Sequence, residues 1–218
     1  FNQLLMNIAK QHLINRTSRI NDNATVNKSM LNALNEPDLY RFFCLSLYRN
    51  SYYNVRLRIK DIAKITGEKE NTLKNFNKSM DTVLTRKKYP SPINHPVYEF
   101  TMRSLYKIPA MDYKGFITLS HKFTQVKLSV KVKGYYIKLL LIAENNTIPL
   151  NIGIANKLGI SKNTVSKYNI ELFQAGLLKL FPDRLELTPN ELLISNDEAK
   201  QRREWYPITG DLLPNIIL

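Results

Sequence analysis

Apolar residues along this chain recur at helical spacing in some stretches and alternate in others. In residues 1–15, Phe1, Leu4, Leu5, Ile8 and Leu13 (with His12) fall three or four apart, which predicts a short amphipathic helix. Residues 16–37 are polar and Asn-rich and predict a loop with at most a helical turn. Pro37 opens a helix to about residue 49, capped by Asn35 or Glu36, with Leu39, Phe42, Phe43, Leu45, Ser46 and Leu47 inward. Residues 52–59 alternate and predict a strand. Helices over 60–66 and 69–80 flank Gly67, and residues 86–92 predict a basic turn. A returning strand follows over 97–105, and another strand over 116–120. The longest helix begins at 130 or 133 and runs to 144, where Asn145-Asn146 breaks it. Helices over 150–158 and 161–174, the second capped by Ser161, flank Gly159. Strands over 178–181 and 184–187 enclose Pro182-Asp183. Residues 189–218 predict an irregular tail with one helical piece near 196–205.

Two of these helix pairs share a spacing. A helix-turn-helix needs a small residue where the helices cross and a Gly four residues later, in the turn. Apolar residues must follow that Gly by six and nine positions, on the inner face of the second helix. Ala63, Gly67, Leu73 and Phe76 meet these demands, and so do Ala155, Gly159, Val165 and Tyr168. The offset is 92 at every position, and a strand pair follows each second helix. A packing unit without any ligand also fits one such copy. Two copies, each followed by strands in the place of a wing, point to mainly α (α+β) architecture with two tandem winged helix-turn-helix domains. The expected layout is an N-terminal helix and loop over 1–37, domains over 38–123 and 124–188, and a tail over 189–218.

Charge adds a partner class. The chain of 218 residues carries a net charge of +14, beyond the magnitude of about 2 to 8 that solubility asks for. Residues 1–130 hold 21 basic and 9 acidic side chains, whereas 131–218 hold 11 and 9. A basic excess on one part of the chain suits a polyanion. Abundant Asn, Lys and Ile suggest an AT-rich coding genome, which itself raises Lys. No apolar run reaches 18 residues, so no transmembrane helix and no membrane partner is expected. The first residues are not laid out as a basic-then-apolar leader, and a cytoplasmic, bacterial setting beside nucleoid or plasmid is expected. The single cysteine, Cys44, excludes an intramolecular disulfide and reads as a core thiol.

Enzyme chemistry finds little support. His12, His95 and His121 are far apart, and neither a G-x-x-x-x-G-K-[ST] nor a G-x-G-x-x-G loop occurs. No catalytic residue, cofactor or metal is expected. Candidate DNA-contacting residues lie on the two second helices. In the first copy these are Lys69, Asn71, Thr72, Lys74, Asn75 and Lys78 (with Glu70 beside them). In the second they are Ser161, Lys162, Asn163, Thr164, Ser166 and Lys167. Asn suits adenine, Lys suits guanine or phosphate, and Ser and Thr suit either a base or a phosphate. Arg86, Lys87 and Lys88 stand where a wing would turn. Arg56, Arg58 and Lys60 alternate along one strand face, and Lys127, Lys131 and Lys133 precede the long helix.

The segments 55–63 (VRLRIKDIA), 113–123 (YKGFITLSHKF) and 149–176 carry a resemblance, over about half of the chain. They resemble the tandem winged-helix replication initiators of plasmids. That resemblance implies a first domain for dimerisation and backbone contact and a second that reads repeated origin sites. Ser161-Lys162-Asn163-Thr164-Val165-Ser166 also resembles the recognition helix of bacterial transcription regulators. Three functions stay open: an initiator at repeated sites, a regulator binding an operator as a homodimer, and a winged-helix scaffold that binds protein.

Overall fold

A computed structural model describes residues 20–49, 53–90, 102–107, 109, 115–150, 153–195 and 198. Within them the protein is mixed α+β, with three small antiparallel sheets among the described residues. The amphipathic helix expected over 1–15 and the helical piece near 196–205 fall outside the described residues, save Glu198.

The expected loop contains a strand. Asn23–Asn27 form β1, with Ala24 and Val26 fully buried, and Met30–Ala33 form one helical turn, α1. Glu36–Ser46 form α2, where the Asn35 side chain accepts the Asp38 N–H at 2.9 Å and Pro37 sits in the first turn. Then come β2 (Asn54–Leu57), α3 (Ile59–Thr66), a 3-10 turn (Glu70–Leu73), α4 (Phe76–Met80), β3 (Thr85–Pro90) and β4 (Met102–Lys107).

The same order then repeats. It runs β5 (Phe116–Ser120), a 3-10 turn (His121–Gln125), α5 (Val130–Ile142), β6 (Thr147–Pro149), α6 (Ile154–Leu158), α7 (Lys162–Gln174), β7 (Leu178–Leu180) and β8 (Arg184–Leu187). The helix expected over 150–158 is shorter than its pattern. Pro149 ends a strand, and Gly153 takes a left-handed φ of 65° just before α6. Past β8, the expected irregular tail begins with order: a 3-10 turn (Asn190–Leu192) and β9 (Leu193–Ile194).

In each repeat three strands form a sheet in which the first lies beside the last: β2-β4-β3 and β6-β8-β7. The repeats meet through their equivalent elements. β1 pairs antiparallel with β5, Thr25 opposite Thr118 with their hydroxyls 3.2 Å apart, and β9 covers the other edge of β5. Helix α2 packs on α5. Equivalent strands paired antiparallel are related by a local two-fold axis.

The α2–α5 contact is close because α5 carries Gly134. A Cβ there would stand 1.6 Å from the Glu36 carbonyl oxygen. One turn on, Lys138 Nζ donates to Glu36 Oε1 at 2.9 Å in a pair that is almost wholly buried. Tyr40, Phe43, Phe123 and Tyr136 stack around the same contact with centroids 5.8–6.2 Å apart. Lys133 is buried here too. Its ammonium donates to the Thr124 carbonyl at 2.9 Å and lies 5.0 Å from the Tyr40 ring centroid, and burial lowers its pKa. Lys133 is therefore a core residue and no phosphate contact, whereas Lys127 and Lys131 are exposed. Cys44 is fully buried, and burial pushes its thiol up to about 12. One continuous hydrophobic core includes side chains of both repeats.

Gly134→Ala separates two explanations for this glycine. In an ordinary helix interior the change stabilises by up to about 1 kcal/mol. At this contact the methyl must push α5 off α2, so we expect a loss of about 3 kcal/mol, as for severe overpacking. The urea unfolding midpoint reads the difference, and a midpoint that rises would refute the close contact.

Candidate nucleic-acid interface

In the first repeat, α3 ends on Gly67 in the left-handed region (φ 72°), and Glu68 N–H bonds the Ala63 carbonyl at 2.8 Å. The turn is tied to α2 by Arg41. Its guanidinium donates to Glu68 from Nε at 2.9 Å and from Nη2 at 2.5 Å, while Nη1 donates to Asp38 at 2.7 Å. Nothing in the motif spacing marks Arg41 for this role, because the signal is an ion pair across 27 positions.

Beyond the turn, one continuous helix is expected over 69–80. Instead there is a 3-10 turn, a break at Asn75 (φ −97°, ψ 0°), and the short α4. Leu73, Phe76 and Met80 are buried as the pattern requires. Asn71, Thr72, Asn75 and Asn77 favour local bonds over helix, and the Thr72 hydroxyl donates to the Lys69 carbonyl. Lys69, Asn71, Lys74, Asn75 and Lys78 are exposed, but one regular helix face does not align them.

The other basic candidates of this repeat sit differently than expected. The strand stops at Leu57, so Arg58 precedes α3 and Lys60 lies in its first turn. The Asp61 carboxylate takes the Arg58 backbone N–H at 3.1 Å and its guanidinium at 2.8 and 2.9 Å, which holds the Arg58 pKa above its ordinary value. Arg58 is thus a helix-start clamp, and Arg56, Arg58 and Lys60 do not share a strand face. Lys60 is exposed. The run Arg86-Lys87-Lys88 lies within β3 and not at a turn, with Lys87 opposite Leu105 and Lys88 opposite Ser104. Arg86 is paired with Asp81 at 2.7 and 2.9 Å. The residues joining β3 to β4, and the side chains of Arg56, Lys87 and Lys88, lie outside the described set.

The second repeat is regular. Gly159 takes φ 65°, and Ile160 N–H closes the turn on the Ala155 carbonyl at 3.0 Å. Helix α7 begins at Ser161, whose Oγ accepts the Thr164 N–H at 3.1 Å and meets the Thr164 hydroxyl at 2.8 Å. Ser161 and Thr164 therefore serve the cap. The inner face holds Leu172, fully buried, and Val165 and Tyr168, half-buried. Tyr135 of α5 locks the helix: its ring lies 5.3 Å from that of Tyr168, and its hydroxyl donates to Asn169 Oδ1 at 2.8 Å.

Outward, Lys162, Asn163, Ser166 and Lys167 are exposed, and their side chains make no hydrogen bond or ion pair with the described residues. Ammonium, amide and hydroxyl groups displayed on a fixed helix suit phosphate oxygens and base edges. Sequence reasoning missed three exposed apolar residues nearby: Ile170 (53%), Phe173 (55%) and Leu180 (48%). The helical spacing of Ile170 and Phe173 reads as core, and the packing of Leu172 inward turns them out; Leu180 ends strand β7.

Among the described residues, no group of three His, Cys, Asp or Glu side chains is placed to hold a metal ion, and no helix is long and apolar enough to cross a membrane. A cleft between α2 and α4 is lined by Asp38, Arg41, Asn75 and Lys78, and its buried charges are already paired with each other.

Ser161→Ala should cost about 1 kcal/mol by removing the cap of α7. Amide hydrogen exchange at Thr164 should speed up, while exchange in α5 stays unchanged. Equal protection of Thr164 in both proteins would show that the cap is not formed. Comparison of the chain with protein-family models, curated proteins and solved structures finds no match.

Proposed function

We propose that the chain binds double-stranded DNA through two winged helix-turn-helix units and acts as a replication initiator of a plasmid or mobile element. The observation that carries this reading is α7. It is a capped, 13-residue helix whose outward N-terminal half offers Lys162, Asn163, Ser166 and Lys167, exposed and without partners among the described residues. In both repeats the order helix, strand, helix, helix, strand, strand, with the first strand beside the last, supports the winged-helix assignment.

The two units divide the work. The first repeat exposes Lys60, Lys64, Lys69, Lys74 and Lys78 on short, irregular elements, which suits sequence-independent attraction to phosphates through counterion release. The second repeat reads bases through α7, with Asn163 set to pair with adenine. The initiator role draws on the tandem arrangement, which puts two such units in one chain, and on the resemblance of segments 55–63, 113–123 and 149–176. No enzymatic step and no cofactor belongs to this mechanism.

Selection of bound fragments from random duplex DNA tests the reading. Direct repeats in the enriched sites are the expected result. Inverted repeats bound by a homodimer would replace the initiator role with transcription regulation. A pool without enrichment would overturn DNA reading and leave a protein-binding scaffold. On an enriched site Asn163→Ala should lose about 1–3 kcal/mol of affinity. On random duplex the loss should be negligible.

A further inference from the structure

The outward face of α7 is not polar along its whole length. At about 100° per residue, Asn163, Lys167, Ile170 and Gln174 fall on one stripe about 60° wide. Fully buried Leu172 lies on the opposite side. Ile170 is 53% exposed and forms one edge of that stripe, about 30° from its centre. Phe173, 55% exposed, and the half-buried Glu171 lie about 90° and 70° from the stripe's centre on opposite sides, and Leu180, 48% exposed, ends strand β7.

An isoleucine in line with two amides and an ammonium needs a surface that is polar and apolar in series. The major groove is one, since the thymine methyl is its apolar feature among donors and acceptors. From Asn163 to Gln174 the helix rises about 16 Å, the length of four to five base-pair steps at about 3.4 Å each. Asn and Gln side chains both match the adenine N6/N7 edge. A second copy of the chain fits the face less well. Half-exposed, Ile170, Phe173 and Leu180 offer on the order of 300 Å², against about 800 Å² per partner in a stable protein interface.

We propose that Ile170 reads a thymine methyl group in the major groove, between adenines contacted by Asn163 and Gln174. The inference rests on the DNA-binding reading above and adds its sequence preference. Preferred sites then carry A·T pairs across the segment covered by α7.

The test uses the full chain and the tightest duplex recovered from the random pool. Each thymine in turn is replaced by deoxyuridine, which removes the methyl and keeps every hydrogen-bonding group. Loss of one buried methyl corresponds to about a fourfold weakening. Wild type should show that loss at one or two positions, and Ile170→Ala should show none there. An unchanged thermal midpoint for Ile170→Ala, as expected of an exposed residue, makes the comparison one of binding. Sequence-specific binding with every deoxyuridine duplex equal to the parent would overturn the inference and leave DNA binding intact. Equal methyl losses in wild type and Ile170→Ala would overturn it as well, by assigning the methyl to another residue. A wild-type dimer that Ile170→Ala converts to monomer without DNA would give the face to a second copy instead. A pool without any enriched duplex removes the DNA-binding reading itself, and the inference with it.

Discussion

Helices α2 and α5 touch backbone to side-chain position at Gly134, and the arrangement of both repeats follows from that contact. No residue with a Cβ fits there, because the Glu36 carbonyl already occupies the space. The close approach brings Glu36 within reach of Lys138 and buries the pair. A buried pair of this kind contributes little net stability, but either partner left alone is costly, by about 3–5 kcal/mol. It therefore holds the two helices in one register. The aromatic cluster of Tyr40, Phe43, Phe123 and Tyr136 and the β1–β5 pair extend the same junction. The hydrophobic core is continuous across this junction, so burial there stabilises both repeats together.

The repeats are alike in order and unlike in finish. In the first, the second helix is broken at Asn75, and Arg41, Arg58 and Arg86 are each paired with a carboxylate. Its free charge resides in exposed lysines, which hold anions without demanding geometry. In the second, Ser161 and Tyr135 fix α7 at both its start and its inner face. Base reading needs side chains held in place, and phosphate attraction does not. The division of labour proposed for the two units follows from this difference in rigidity.

Much of the fold is legible in the sequence because its signals are local. Ala63 and Gly67, with Ala155 and Gly159, mark both turns, and both glycines adopt the left-handed backbone the motif requires. Ser161 and Asn35 mark helix starts and cap them. What was not legible depends on partners distant in sequence. β1 is a strand only because β5, 93 positions away, pairs with it. Lys133 looks like a surface lysine until Tyr40 and Thr124 enclose it. Arg58 and Arg86 look like free charges until Asp61 and Asp81 take them, and Arg86-Lys87-Lys88 looks like a turn until β4 pairs with it. Of the candidate site, Lys162, Asn163, Ser166 and Lys167 are brought together on one regular helix; in the first repeat Lys60, Lys69, Asn71, Thr72, Lys74, Asn75 and Lys78 are exposed but scattered, and Arg58 and Arg86 are held in ion pairs.

The dependence of duplex-DNA affinity on salt probes most directly whether these charges meet phosphate. Each neutralised phosphate contributes about −0.9 to the slope of log K against log salt concentration. With contacts from at least five of the exposed lysines, a slope of about −4 to −5 is expected on random-sequence duplex. Replacing Lys60, Lys64, Lys69, Lys74 and Lys78 by Gln should flatten most of that slope. Binding with a slope near zero in the wild type, or no binding at low salt, would contradict a DNA-binding role for the chain.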